Sequence, residues 1–385
     1  MTELLGSALD RLLAVEPQLR CVETAGAALG LRPRELLHAG PPLIDPRRPP
    51  PVLLSSAVVT ALHEGWTQDA QQAEAMVRAG EITLTPAQPR GCVVPLAFVV
   101  SASTPLFVID DGLGLRMHAP VSSVRGSDTR MGHRDASLGV RLSLRDQRIA
   151  PAWSEALASH GSLPLMPLAA QGLQDGDDLH SRTAAANAAL SAWLRGHGHG
   201  LLADDIEATP LFFLTLWMGA CALMLRSAEG GDQPALVTRA GGNGERFGIA
   251  LAGTPESWTC IEAAPPAGRL LPTIPADRAL CGAIGDSAVI DMLGCGGMAL
   301  GGAPEPAQAF ASLLPAGYQT LPDRLLRGFH PKLGRRVALD AGHVVQEGES
   351  PLVALAMLAA DGLGGFAGRG LYRPAVQLFR QALKT

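Results

Sequence analysis

Residues 183–196 read TAAANAALSAWLRG, and residues 211–225 read LFFLTLWMGACALML. The first stretch is dense in strong helix formers and stops at a glycine, as helices do. The second is apolar on every side, so as a helix it belongs inside protein. It also falls short of the ~20 residues that a bilayer span needs. A helical reading holds from about 150 to 228. On either side the period shortens. Residues 82–85, 93–100 and 106–109 precede it, and residues 235–239, 247–251 and 258–262 follow it, as short β-type runs separated by Gly, Pro and Ser. The expected fold is therefore α+β: two mixed α/β lobes, 1–148 and 231–385, with a helical segment at 149–230 between them. Clefts between such units are the usual place for a ligand.

Further helices are expected at 2–17, at 52–64, from a Thr67 N-cap to Arg78 with Gly80 closing it, after Asp286, at 305–314 and at 372–383.

Composition removes several functions. The net charge of −5 lacks the basic excess of a nucleic-acid binder. The only lysines are Lys332 and Lys384, so Schiff-base chemistry and the phosphate-loop lysine have almost no candidates. Cys21, Cys92, Cys221, Cys260, Cys281 and Cys295 form no CxxC pair and match no zinc or disulfide framework. They read as reduced thiols. The opening MTELLGSALDRLLAVEP carries acids inside an amphipathic pattern, unlike a signal peptide. The expectation is a cytoplasmic protein with no membrane or nucleic-acid partner, no metal and no cofactor.

The densest chemistry lies at 171–183, QGLQDGDDLHSRT. One reading is structural: Asp175, Asp177 or Asp178 caps the next helix, and Asp178 pairs with Arg182 one helical turn on. The other is functional: Asp177 orients His180, and Arg182 grips a carboxylate or phosphate. GGNGERFG at 241–248 reads either as an Asn-Gly hairpin turn or as an oxyanion cradle from Asn243 and Gly244. Gly285, Asp286 and Ser287 open a helix. They read either as a cap, with Asp286 or Ser287 in that position, or as an anion site. Ser101 and Ser103 are either a strand connection or hydroxyls for a ligand. His38 and His63 lack metal spacing and read as packed histidines. No dinucleotide fingerprint, Walker loop or GxSxG elbow occurs.

Seven stretches in this order resemble a bacterial family encoded beside the acyl-CoA-synthetase-like FdrA protein. They are LLHAGPP (36–42), HEGWTQDAQQAEAMVRAGEI (63–82), SASTPLFVIDD (101–111), TRMG (129–132), AQGLQDGDDLHSRTAAANAAL (170–190), NGERFGI (243–249) and GDSAVIDMLGCGG (285–297). One branch of that family supplies a subunit of oxamate carbamoyltransferase. The resemblance implies an α+β fold with a helical insertion, and a homo- or hetero-oligomeric complex with an FdrA-like partner. It also implies a place in purine or allantoin nitrogen catabolism, acting on an N-carbamoyl acid such as oxalurate. Phosphate would attack the carbamoyl carbon to give carbamoyl phosphate and oxamate, or the reverse. The roles that chemistry needs fall here on the Gly285–Ser287 turn for phosphate, Arg182 or Arg130 for the carboxylate, Asn243 and Gly244 for the oxyanion, and His180 with Asp177 for the proton, with Asp286 as a further catalytic candidate. The chain departs from the family pattern at 87–91, at 122–124, and at Ala354, Leu355, Ala356, Ala359, Ala360 and Asp361, where polar residues give way to smaller or apolar ones. Two further readings stay open: a non-catalytic scaffold or ligand-binding subunit, and a hydrolase or lyase of another small amide or carboxylate.

Overall fold

The apolar run folds as the helix Phe212–Ser227, buried from Phe212 through Leu225. A computed structural model describes residues 7–121, 129–135 and 137–385. In it this helix touches both halves of the chain. It packs on strands Pro105–Asp110, Arg116–Pro120 and Val237–Asn243, and on helices Ala8–Ala14, Leu165–Gln174, Ala184–Gly196 and Ala288–Leu293. Gly219 allows the closest approach: a Cβ there would lie 2.4 Å from Ile109 Cδ1. Trp153 stacks on Phe212, and Phe107 meets both rings edge-on. A single apolar cluster runs from Ala8 to Ala382.

The fold is α+β, with several small sheets. Three strands from before the helical middle and a short one from within it form an antiparallel sheet ordered Arg116–Pro120, Pro105–Asp110, Gln18–Thr24, Leu163–Pro164. Beside it, Glu35–His38 and Thr83–Pro86 pair in parallel, joined through helices Pro51–His63 and Ala70–Ala79. After the middle come three antiparallel units. One is ordered Ile284–Gly285, Val237–Asn243, Arg246–Leu251, Thr259–Glu262; one Ala267–Leu270, Phe366–Tyr372, Val353–Leu358; and one pairs Leu326–His330 with Arg335–Leu339. The middle supplies Ser137–Leu144, Ala150–His160, Leu165–Gln174, Ala184–Gly196, Gly200–Glu207 and Phe212–Ser227.

Local chemistry sets the boundaries. Within the described residues the first helix is only Ala8–Ala14, because Ser7 and Asp10 close a capping box at its start. Asp69, not Thr67, caps Ala70–Ala79 by accepting from Gln72 N, and Gly80 ends it at φ 78°. The β-type run at 93–100 is not a strand: Pro95 removes a donor and Leu96 turns to φ 48°. The helix expected at 305–314 is Pro304–Ala309 followed by a separate 3₁₀ turn, Ala311–Leu313. The last helix is only Val376–Ala382, since Phe366–Tyr372 is spent in a strand. Among the described residues no single helix is long and apolar enough to cross a membrane. Gly200–Glu207 and Phe212–Ser227 together have the composition, but they meet at 94°.

Candidate functional site

Residues 175–183 form a loop wound around two carboxylates. Gly176, at φ 86°, turns the chain out of helix Leu165–Gln174. Asp177 then reaches forward and its Oδ2 accepts from Ala185 N and Ala186 N, both at 2.9 Å. It thus caps Ala184–Gly196 from a distance, and its Oδ1 pairs with the Arg182 guanidinium. Asp178 Oδ1 gathers the backbone N–H groups of His180, Ser181 and Arg182 at 3.0, 2.9 and 2.8 Å, while Oδ2 accepts from Ser181 Oγ at 2.6 Å. Leu179 sits at φ 65°, a costly backbone for a leucine.

This geometry corrects two sequence expectations. Asp177 does not pair with His180, and Asp178 bonds the Arg182 backbone N–H but not its guanidinium, which goes to Asp177. Both readings presume helical spacing from residue 177, whereas the helix starts at Ala184 and the left-handed Leu179 turns His180 away from Asp177.

His180 pairs instead with Asp291, its Nδ1 lying 2.8 Å from Oδ2. Asp291 is fully buried in helix Ala288–Leu293, and its Oδ1 accepts from Gly297 N at 2.7 Å and Ala354 N at 3.0 Å. One carboxylate thus joins three distant segments. Gly296, at φ 56°, makes room for the pair: a Cβ there would lie 2.2 Å from Asp291 Oδ1 and 2.9 Å from His180 Cβ. Burial disfavours the charged ring, but the Asp291 carboxylate, with help from Asp178, outweighs it and raises the His180 pKa above its usual value. With Nδ1 held, Nε2 is the nitrogen left for chemistry.

His180 opens onto a cleft of about 860 Å³. Arg130, Arg182 and Ser287 line it as well, so four sequence-selected residues meet there. The Arg182 side chain keeps 30% exposure despite its pair with Asp177. Ser287 stands at the head of helix Ala288–Leu293 and makes no capping bond with its side chain. Gly285, at φ 120°, lies just behind, where a Cβ would lie 2.9 Å from Leu96 N.

Other selected residues lie elsewhere. Asp286 is fully buried and does not cap the helix. Its Oδ1 accepts from Gly40 N at 2.8 Å and Gln88 Nε2 at 2.6 Å, and its Oδ2 from Val94 N at 2.8 Å. Burial pushes its pKa up to about 7 against the pull of those donors. Asn243 and Gly244 form a hairpin turn, Gly244 at φ 89°. The Asn243 carboxamide is buried, donating to Pro41 O and accepting from Glu245 N and Arg246 N, so it holds the turn and does not face the cleft. Ser101 bonds Thr104 and Ser103 bonds Glu64, away from the cleft. His38 is sealed against Ala39 O, with burial pulling its pKa down to about 4, and His63 pairs with Asp146 at 2.7 Å. Ser122, Ser123 and Val124 lie outside the described residues. Among the described residues no group of three or more His, Cys, Asp or Glu gathers as a metal would require.

Sequence reasoning missed two residues. Asp291 was signalled by being the lone carboxylate in AVIDML, since a buried acid needs partners. Arg369 lines the cleft from strand Phe366–Tyr372, donates to Ser181 O at 2.9 Å and pairs with Glu305 at 3.2 Å. Nothing in FAGRGLY marks it.

The α+β fold thus sets a buried acid–imidazole pair and three guanidiniums, Arg130, Arg182 and Arg369, on one cleft. Residues 82–287 match the family model "Oxamate carbamoyltransferase subunit AllG", more than half of the chain, and the chain belongs to that family. It is 28% identical over 374 residues to the oxamate carbamoyltransferase subunit AllG of Escherichia coli (strain K12), covering 91% of this chain and 89% of that one. It is 27% identical over 403 residues to the uncharacterized protein YahG of the same organism, covering 98% and 84%. Its fold matches the crystal structure of a conserved protein of unknown function from Enterococcus faecalis V583 with a TM-score of 0.90, at 23% identity, over 98% of this chain and 95% of that one.

Proposed function

We propose that this chain is the substrate-binding and catalytic subunit of a carbamoyltransferase-like complex. It acts on a small N-carbamoyl acid such as oxalurate together with phosphate. The observation that carries this reading is the His180–Asp291 pair opening onto the same cleft as Arg130, Arg182, Ser287 and Arg369. In the forward direction a phosphate oxygen bonds to the carbamoyl carbon, and the bond from that carbon to the amide nitrogen breaks. The departing nitrogen gains the proton that phosphate gives up. Oxalurate and hydrogen phosphate thereby become carbamoyl phosphate and oxamate, with total charge unchanged. Neutral His180 takes the proton at Nε2 and returns it to the leaving nitrogen, while Asp291 holds the tautomer and steadies the imidazolium. The guanidiniums hold the carboxylate and phosphate. Positioning both anions removes much of the entropic barrier.

The complex, reconstituted with an FdrA-like partner, should form carbamoyl phosphate from oxalurate only when phosphate is present, and His180→Ala should abolish that. Equal turnover without phosphate would make the protein a hydrolase or lyase.

A second reading, a non-catalytic binding subunit, draws support from Ala354, Leu355 and Ala356, apolar residues that line the cleft where the family pattern is polar. Under it, His180→Ala and Arg182→Ala would leave the activity of the complex unchanged.

A further inference from the structure

The cleft also has an apolar wall. The elbow between helices Gly200–Glu207 and Phe212–Ser227 contributes Ile206, Pro210, Leu211 and Leu214 to its wall. Leu211 sits at the corner with φ 62°, so the backbone is held in an unfavourable conformation that presents this wall. Phe366 and Leu355 come from strands Phe366–Tyr372 and Val353–Leu358, near Arg369.

Two arguments say that a ligand covers this surface. Apolar area left wet forgoes roughly 25 cal/mol per Å² that burial would return. And about 860 Å³ stands in the upper part of the ~300–1,000 Å³ range that holds drug-sized molecules. An anion and a few-atom carboxylate at the arginine end fill only a fraction of it. Apart from Glu207, the charged side chains of the cleft are Arg130, His180, Arg182, Arg369 and Glu305, with Asp177 and Asp291 as buried counter-ions behind Arg182 and His180. The elbow wall carries Glu207, which is engaged by Ser191 and Arg195.

We propose that the cleft takes an N-carbamoyl acid bearing an apolar side chain of several carbons, with its carboxylate at the arginines and its side chain on the elbow wall. The carbamoyl part of this inference rests on the function proposed above, while the apolar part rests on the wall alone.

The test is calorimetric binding to the full chain of two series that share a set of side chains from hydrogen to four carbons. One is the N-carbamoyl amino acids and the other the corresponding 2-hydroxy acids. The expected result is a Kd that falls about fourfold per added methylene. Leu214→Ala and Phe366→Ala should flatten that slope and leave the Kd of N-carbamoylglycine unchanged. A flat slope in both series, or no binding by any member, overturns the inference. A slope with equal affinities in the two series keeps the apolar wall and removes the carbamoyl reading. Phosphate-dependent turnover of oxalurate by the complex, with a flat slope, does the reverse. The wild-type slope decides the matter even where a variant folds poorly.

Discussion

Replacing Asp291 with asparagine changes one atom and should invert the tautomer of His180. The Oδ1 position faces two N–H donors, Gly297 and Ala354, so the asparagine oxygen belongs there. Its amide then faces His180 Nδ1 and donates to it, which leaves the ring proton on Nε2, the atom that must accept one. The fold loses only the difference between a charged and a neutral buried hydrogen bond, about 1–2 kcal/mol. Activity should fall on the order of 10²–10⁴-fold, the usual value of positioned acid–base catalysis. The pH profile should move too. A neutral base is needed, so wild-type activity rises with pH through the raised His180 pKa. Without the Asp291 charge, burial dominates and the acid limb moves to lower pH. The assay is carbamoyl phosphate formation by the complex across pH, with nitrogen-15 NMR reporting the His180 tautomer. A variant within about threefold of wild type, or one with an unmoved acid limb, would refute the base assignment.

Gly296→Ala puts a methyl group against Asp291 and His180 at a left-handed backbone position. It should cost about 1–3 kcal/mol, read as a lowered Tm, and abolish turnover in the fraction that folds. Arg182→Ala should raise the KM for the carboxylate substrate roughly 10- to 150-fold, the worth of a charge-assisted hydrogen bond, while Arg182→Lys restores only part of it. Asp286 gives a stability test. Its folded pKa of about 7 exceeds the unfolded value, so between about pH 4 and 7 the native state holds a proton that the unfolded chain has released. Its contribution is therefore greatest below that window and is lost as pH rises through it, by roughly 4 kcal/mol at most. The stability of wild type relative to Asp286→Asn in urea should fall between about pH 4 and 7 and level off above; a constant difference would mean that the three donors hold Asp286 ionised throughout.

Local signals carried the helical middle and the two strand-bearing flanks. Periodicity, glycine stops and an all-round apolar run are properties of neighbouring residues, and they place Ala184–Gly196 and Phe212–Ser227. The Asn243–Gly244 turn was one of two readings for the same reason. The site was only half legible. His180, Arg182, Arg130 and Ser287 could be picked by type, but the partner of His180 stands 111 residues away. The acid one helical turn before His180, Asp177, was occupied by a helix start, and Leu179 between them adopts a left-handed backbone. Likewise the helix-opening acid Asp286 is turned inward by Gly40, Gln88 and Val94, each more than 190 residues distant.

The helix Phe212–Ser227 also has a history during synthesis. One side of it rests on strands Pro105–Asp110 and Arg116–Pro120, which leave the ribosome first. The other side waits for Val237–Asn243 and Ala288–Leu293. At ~5–20 residues per second, a fully apolar helix therefore stands half-covered for several seconds. That interval is when a nascent chain of this kind attracts chaperones or a neighbouring copy. Yield from a fast-translating host should accordingly depend on temperature and chaperone supply more steeply than the stability of the finished fold does.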